Sequence, residues 1–149
     1  MSGIIGGAGS KSGIIGTTEL DYEEGTWTAS FHPTSVVIDA TRDLCSYIKI
    51  GGLVTVYGAI KVGSISSPSG ALQVNGLPFV SRSSSEMENR SVGSISGWGY
   101  TGTLTTDLHC FQSSGYTYFY IQDQGLNDVA NHCAASTEFR FTLQYPTDS

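Results

Sequence analysis

Charge is scarce in this chain. Asp, Glu, Lys and Arg make up only 13% of its 149 residues, against roughly 25% in an average soluble domain. Its water-facing surface therefore has to be built from Ser, Thr, Gly, Asn and Gln. Basic residues are the scarcer sign: seven Lys and Arg against thirteen Asp and Glu give a net charge of −6. That balance speaks against nucleic acid as a partner, because neutralising Lys and Arg supply most of the affinity for a phosphate backbone. Long apolar runs are missing too. Glycine interrupts those of the N-terminal segment after two residues, which leaves no room for the roughly 7–15-residue apolar stretch of a secretory signal. Nothing approaches the roughly 20 apolar residues of a membrane-spanning helix. Cysteines number only three, Cys45, Cys110 and Cys133, an odd count at spacings that match no metal or redox motif. They are expected as free thiols of a protein made in a reducing cytoplasm, where the sequon Asn89-Arg90-Ser91 has no role. Helical periodicity is nearly absent: Leu126–Ala134 offers at most a turn or so of helix, and a loop is the expectation there.

What the chain does have is a period of two. Thr26–Phe31 alternates large with small side chains, and Leu53–Val62 is a long run of β-branched and aromatic residues, both of which read as strands. Further strands are expected at Cys45–Ile50, Ala71–Val74, Val92–Ile95, Thr103–Cys110, Tyr116–Gln122 and Glu138–Tyr145, between Gly, Ser, Asn, Pro and Asp clusters that favour turns. Gly51-Gly52 separates two of them as a two-residue hairpin signal, with positive φ expected at its central positions. Ser81–Arg90 is polar and unpatterned, an expected exposed loop. Strands at this spacing in a chain of one-domain length predict an all-β fold, an antiparallel β-sandwich or jelly roll over residues 20–149. Ahead of it, residues 1–19 are expected to form an extended arm; SGIIG occurs there twice, at Ser2–Gly6 and Ser12–Gly16.

Three blocks carry a family resemblance. LDYEEGTWTASF (Leu20–Phe31), YIKIGGLVTVYGAIKVG (Tyr47–Gly63) and GALQVNGLPF (Gly70–Phe79) resemble, in order, the signature of a β-sandwich module at the ends of bacteriophage tail fibres and in related virion surface proteins. The lead-in GIIGTTE resembles marine phage members. The match covers about Gly13 to Phe79. The resemblance implies a homotrimeric protein of the virion surface, made in the host cytoplasm, with loops displayed toward the host cell or the medium. In most members the module ends a long fibre, whereas here it follows Met1 closely. The doubled Ile-Ile arm is accordingly expected to attach the protein to other virion proteins through Ile4, Ile5, Ile14 and Ile15. Each buried Ile side chain contributes about 1.5–3 kcal/mol before ordering costs, and threefold multiplicity strengthens a weak arm.

Candidate chemistry is thin. Asp21, Glu23 and Glu24 lack the partner acid of a glycosidase pair and the ligand-rich loop of a calcium site, so a structural role joining arm to first strand is expected. His109-Cys110 and His132-Cys133 repeat a His-Cys pair, but neighbours on a strand point to opposite faces, which argues against a zinc site. No catalytic residue, metal or cofactor is expected. The aromatic residues divide two ways. Trp98 and Tyr100 are expected in a Gly-rich loop, and Tyr116, Tyr118 and Tyr120 on one strand face. They read either as glycan-binding residues, stacking on sugar rings, or as rings packed in the core or against a neighbouring subunit. The expected function is a non-enzymatic, tail-fibre- or spike-like virion surface protein displaying loops to host-surface polysaccharide. The alternatives are a capsid decoration protein whose arm binds neighbouring capsid subunits and, third, a glycan depolymerase.

Overall fold

The computed structural model describes residues 21–83, 85, 90–102, 107–124 and 128–148. Residues 1–20, with the expected attachment arm and all four of its isoleucines, lie outside them. Within them the chain forms nine strands: β1 (Tyr22–Thr26), β2 (Ser30–His32), β3 (Val36–Ile50), β4 (Leu53–Ile65), β5 (Leu72–Asn75), β6 (Ser91–Trp98), β7 (Leu108–Gln112), β8 (Tyr118–Asp123) and β9 (Glu138–Pro146). A short 3-10 turn at Val129–His132 falls inside the stretch where the sequence allowed a helical turn. None of the described helical segments is long and apolar enough to cross a membrane.

The strands make one hydrogen-bonded antiparallel sheet in the order β1-β3-β4-β9-β6-β7-β8-β5-β2. The all-β expectation holds, but the backbone ladder is a single continuous one, rolled into a half-barrel, and not two separately bonded sheets. Its two halves face each other across the core. Phe119 of β8 meets Phe141 of β9 at 5.0 Å, and Phe31 of β2 meets Phe139 of β9 edge-on at 6.2 Å, although none of these strands are neighbours in the sheet. Alternation dictates the core. Val54, Val56, Ile60 and Val62 of β4, and Phe139, Phe141, Leu143 and Tyr145 of β9, point inward and are buried.

Two expected elements come out differently. The alternating run Thr26–Phe31 is not one strand: Thr26 ends β1, Ser30 begins β2, and Trp27–Ala29 carries the chain from one edge of the sheet to the other. Trp27 and Ala29 are buried on the way, so the alternation reflects burial during the crossing. Strand β3, expected from Cys45, begins nine residues earlier at Val36. Its pairing with β4 jumps from Ile38↔Val62 to Asp43↔Ile60, so Asp39–Arg42 bulges out opposite Lys61. Asp39 fixes the bulge by accepting hydrogen bonds from the Thr41 N–H (3.0 Å) and hydroxyl (2.7 Å).

The Gly51-Gly52 hairpin forms as expected, joining β3 to β4 with Ile50 opposite Leu53. Only Gly51 has positive φ (56°), the pattern of a type II′ turn, which needs glycine at its first centre alone. The Ser81–Arg90 stretch is partly structural. Ser81 is buried, donating to the Ser113 carbonyl and accepting from the Tyr116 N–H, and Arg82 pairs with Asp148 at 2.7 Å. Of the expected strand Thr103–Cys110, residues 107–110 are described, and the strand there begins at Leu108.

Candidate functional site

The three sequence blocks meet at one place. Lys49 of β3 is 4% exposed, pairs its ammonium with Asp21, and holds it 5.6 Å from the centre of the Phe79 ring. Tyr47, two residues back on the same face, donates its hydroxyl to Glu23 at 2.6 Å and meets Phe79 edge-on at 5.4 Å. That bond holds the Tyr47 hydroxyl above its ordinary pKa. Phe79 in turn is tied to β9, because Tyr145 donates its hydroxyl to the Phe79 carbonyl at 3.1 Å. Gly76, at φ 94°, brings the same turn against the backbone of Thr28, where a Cβ would lie 2.3 Å from the carbonyl oxygen. The acidic opening is thus occupied: Asp21 by Lys49, Glu23 by Tyr47 and Glu24 by Tyr22. Together these contacts make a structural lock between the lead-in, the hairpin strand and the G-L-P-F turn.

The His-Cys pair on β7 is divided as strand geometry requires, and the second pair lies at the end of the 3-10 turn. Cys110 is fully buried while His109 is only half-buried. His132 lies 3.9 Å from Asp128 and 3.1 Å from the Thr101 carbonyl, and Cys133 is buried. Burial pushes the Cys45 and Cys133 thiols up to about 12 and Cys110 higher still, so none is a ready thiolate. Among the described residues no three His, Cys, Asp or Glu side chains converge as metal ligands.

The five candidate aromatic residues fall in two places. The strand expected from Tyr116 begins at Tyr118: Tyr118 and Tyr120 lie on the outer side of β8, and Tyr116, two residues ahead of it, extends them into a ladder with ring centres 4.9 and 5.4 Å apart. Phe119 between them is in the core, so the alternation read in the sequence is real and the three tyrosines are not core residues. Tyr120 lies level with Phe111 of β7 and through it with Val92 of β6, which is 71% exposed. Trp98 is at the far end of β6, roughly 20 Å from the Val92 row at ~3.3 Å per residue. It is 41% exposed, with the Arg140 guanidinium 4.8 Å above its ring. Tyr100 turns inward against Phe139 at 6.0 Å, and burial raises its hydroxyl to about 12; it offers no surface ring.

One further feature has no counterpart in the sequence reading. Where β1 ends and β3 bulges away from β4, a cleft of about 610 Å³ opens, lined by residues of β3, β4 and β9 and by Thr26, Trp27 and Thr28. Its charged groups are Arg42, Asp43, Lys61, Glu138 and Arg140. These are distant in sequence and meet because β4 lies between β3 and β9. Only the sheet order could have assembled them.

No family model matches the chain, and no curated protein does. The fold is shared with a solved structure, that of the Dettilon tailspike protein (gp208), at 20% identity and a TM-score of 0.69. The similarity covers 84% of this chain and 24% of the tailspike, so the chain spans about a quarter of that protein's length. The likeness is one of fold.

Proposed function

We propose that the chain is a non-enzymatic surface component of a tailed-phage virion, tail-fibre- or tailspike-like, displaying its outer face and loops to host-surface glycan. The observation that carries the reading is the fold shared with a tailspike over 84% of the chain. Two features support it. The sequence is charge-poor and hydroxyl-rich, and the tyrosine ladder lies outside the core with Tyr116 48% exposed, amphipathic rings of the kind that suit a sugar ring or a neighbouring subunit. The lead-in carboxylates and the three thiols are occupied or buried, which supports display over catalysis. In this reading three copies assemble, covering apolar side chains that one chain leaves out, such as Leu44 and Val92, each 71% exposed, while residues 1–19 attach to other virion proteins through Ile4, Ile5, Ile14 and Ile15.

A cryo-EM map of the particle, with light scattering of the purified chain, tests this. The expected result is a few copies at the tail and about three chains per soluble particle. A regular array on the head would assign it to capsid decoration instead. A monomer across micromolar concentrations would refute the trimer, absence from the virion would refute the whole reading, and release of reducing sugar from host capsular glycan would refute the non-enzymatic assignment.

A further inference from the structure

The cleft at the β3 bulge gathers much of the chain's scarce basic charge. Of seven basic residues, three (Arg42, Lys61 and Arg140) line this one cavity. Lys49 and Arg82, by contrast, are committed to Asp21 and Asp148. The three cleft cations are held loosely. Arg42 reaches Glu138 at 3.6 Å with its own side chain 63% exposed, a contact that water screens and a ligand can replace. Arg140 lies over the Trp98 ring, and stacking of this kind leaves the N–H edge of a guanidinium free to meet a carboxylate in the plane. Lys61 makes no salt bridge among the described residues; its charge helps hold the Asp39 carboxyl below its ordinary pKa, after the larger effect of the Thr41 hydrogen bonds.

Around these cations stand the groups that read hydroxyls. Thr26 and Thr28 offer hydroxyl donors and acceptors, Thr41, whose proton goes to Asp39, an acceptor alone, and Asp43 and Glu138 carboxylate acceptors. Trp98, paired with Glu138 across β6 and β9, supplies an exposed ring beside the cleft. The cavity volume lies within the roughly 300–1,000 Å³ of small-ligand sites. A densely charged polyanion fits poorly, since the net charge of the whole chain repels it. A ligand with one carboxylate per hydroxyl-rich ring matches both the cations and the acceptors. We propose that this cleft binds a uronic-acid-containing segment of an acidic polysaccharide, its carboxylate between Lys61 and Arg140 and a sugar face on Trp98. This deepens the glycan part of the proposed function but is tested on the isolated protein. Its failure leaves the virion placement, which the particle map scores, untouched.

The experiment is a calorimetric titration of the full chain with two acidic probes, a galacturonic acid tetramer and a hyaluronan tetramer, and with the methyl-esterified galacturonate tetramer as a charge-free control. Saturable binding of at least one acidic probe is expected, weaker by about tenfold for the ester than for the galacturonate acid if that acid is the one bound, and weakening with salt. Arg140→Gln and Lys61→Gln should each lower the affinity at least fivefold with an unchanged melting temperature, and Trp98→Ala likewise. The probe should be recovered uncut. No saturable binding of either acid, equal binding of ester and acid, or indifference to both Arg140→Gln and Lys61→Gln would overturn the proposal, and cleavage of the probe would overturn the reading of the cleft as a site that only binds.

Discussion

Adding one methyl group at Gly58 tests the packing inside the half-barrel. Gly58 occupies the inward position between Val56 and Ile60 on β4, where a Cβ would lie 2.8 Å from the Cys45 sulfur, 2.8 Å from Phe141 Cζ and 3.1 Å from the Leu44 carbonyl oxygen. The first two distances are about 0.7–1.2 Å inside the ~3.5–4.0 Å optimum for carbon contacts, and both neighbours belong to the core. Overpacking of this kind costs about 1–3 kcal/mol, and loss of glycine's freedom in the unfolded chain offsets about 0.4–1 kcal/mol of it. Gly58→Ala should therefore destabilise the fold by about 1–2 kcal/mol, which lowers the melting temperature by roughly 2–8 °C for a chain of this size. Cys45→Ala alone should cost about 1 kcal/mol for the lost buried atom. In the double variant the methyl enters the space left by sulfur and the Phe141 ring relaxes with it, so the two costs should fall short of their sum by about 1 kcal/mol. Urea unfolding followed by Trp27 fluorescence reads all four corners of the cycle, because Trp27 packs 6.2 Å from Phe141. An unchanged Gly58→Ala midpoint, or strictly additive costs, would show that this part of the core is not packed as described.

Other outcomes follow from the same structure. Gly51→Ala should cost about 1–2 kcal/mol through its positive φ alone, since nothing lies within 4 Å of a Cβ there; a melting curve matching the parent would exclude the II′ hairpin. Asp21→Asn leaves the buried Lys49 ammonium without its carboxylate. Because the Asp21 side chain is 61% exposed, water softens the loss to about 1–2 kcal/mol, short of the ~3–5 for a fully buried pair, and equal unfolding midpoints would refute the lock. Burial raises Cys45 and Cys133 from 9.0, and Tyr100 from 10.0, to about 12, so the folded state holds these protons more tightly than the unfolded one. That contribution is complete below pH 9 and disappears as pH rises from 9 to 12: the melting temperature should fall across this window, and a flat profile would contradict the burial of these groups. Replacing Ile4, Ile5, Ile14 and Ile15 together by Ser should leave the soluble assembly and its melting temperature within a few degrees of the parent while the protein is lost from virions; unfolding would make the arm part of the domain, and normal incorporation would refute the attachment role.

How far the sequence discloses the fold depends on whether one periodicity governs a segment. Strands β4, β8 and β9 alternate cleanly and are legible, as is the tyrosine ladder, because a period of two assigns faces without knowledge of neighbours. The start of β3 is hidden because Asp39–Arg42 breaks the alternation to form the bulge. The division between β1 and β2 is hidden for the opposite reason, a continuous alternation across a change of edge. The site residues follow the same rule. Tyr116, Tyr118 and Tyr120 follow one another along a single stretch of chain, whereas Arg42, Lys61 and Arg140 meet only through the β3-β4-β9 order, which local pattern does not encode. Trp98 and Tyr100 look equivalent in their Gly-rich setting and part company because only Tyr100 finds Phe139 to pack on. Lys49 has no pattern of its own to mark it as the buried partner of Asp21.

The bulge has a consequence beyond forming the mouth of the cleft. β1 pairs only with the second half of β3, from Ser46 to Ile50, so the first half presents a sheet edge, and an open edge invites strand addition from another copy. Asp39–Arg42 spoils that template: the backbone leaves register, and Asp39, Arg42 and Asp43 set three charges along it. That stretch of edge is therefore a poor template for strand addition, and a second copy crowded against it meets charged side chains before it meets backbone.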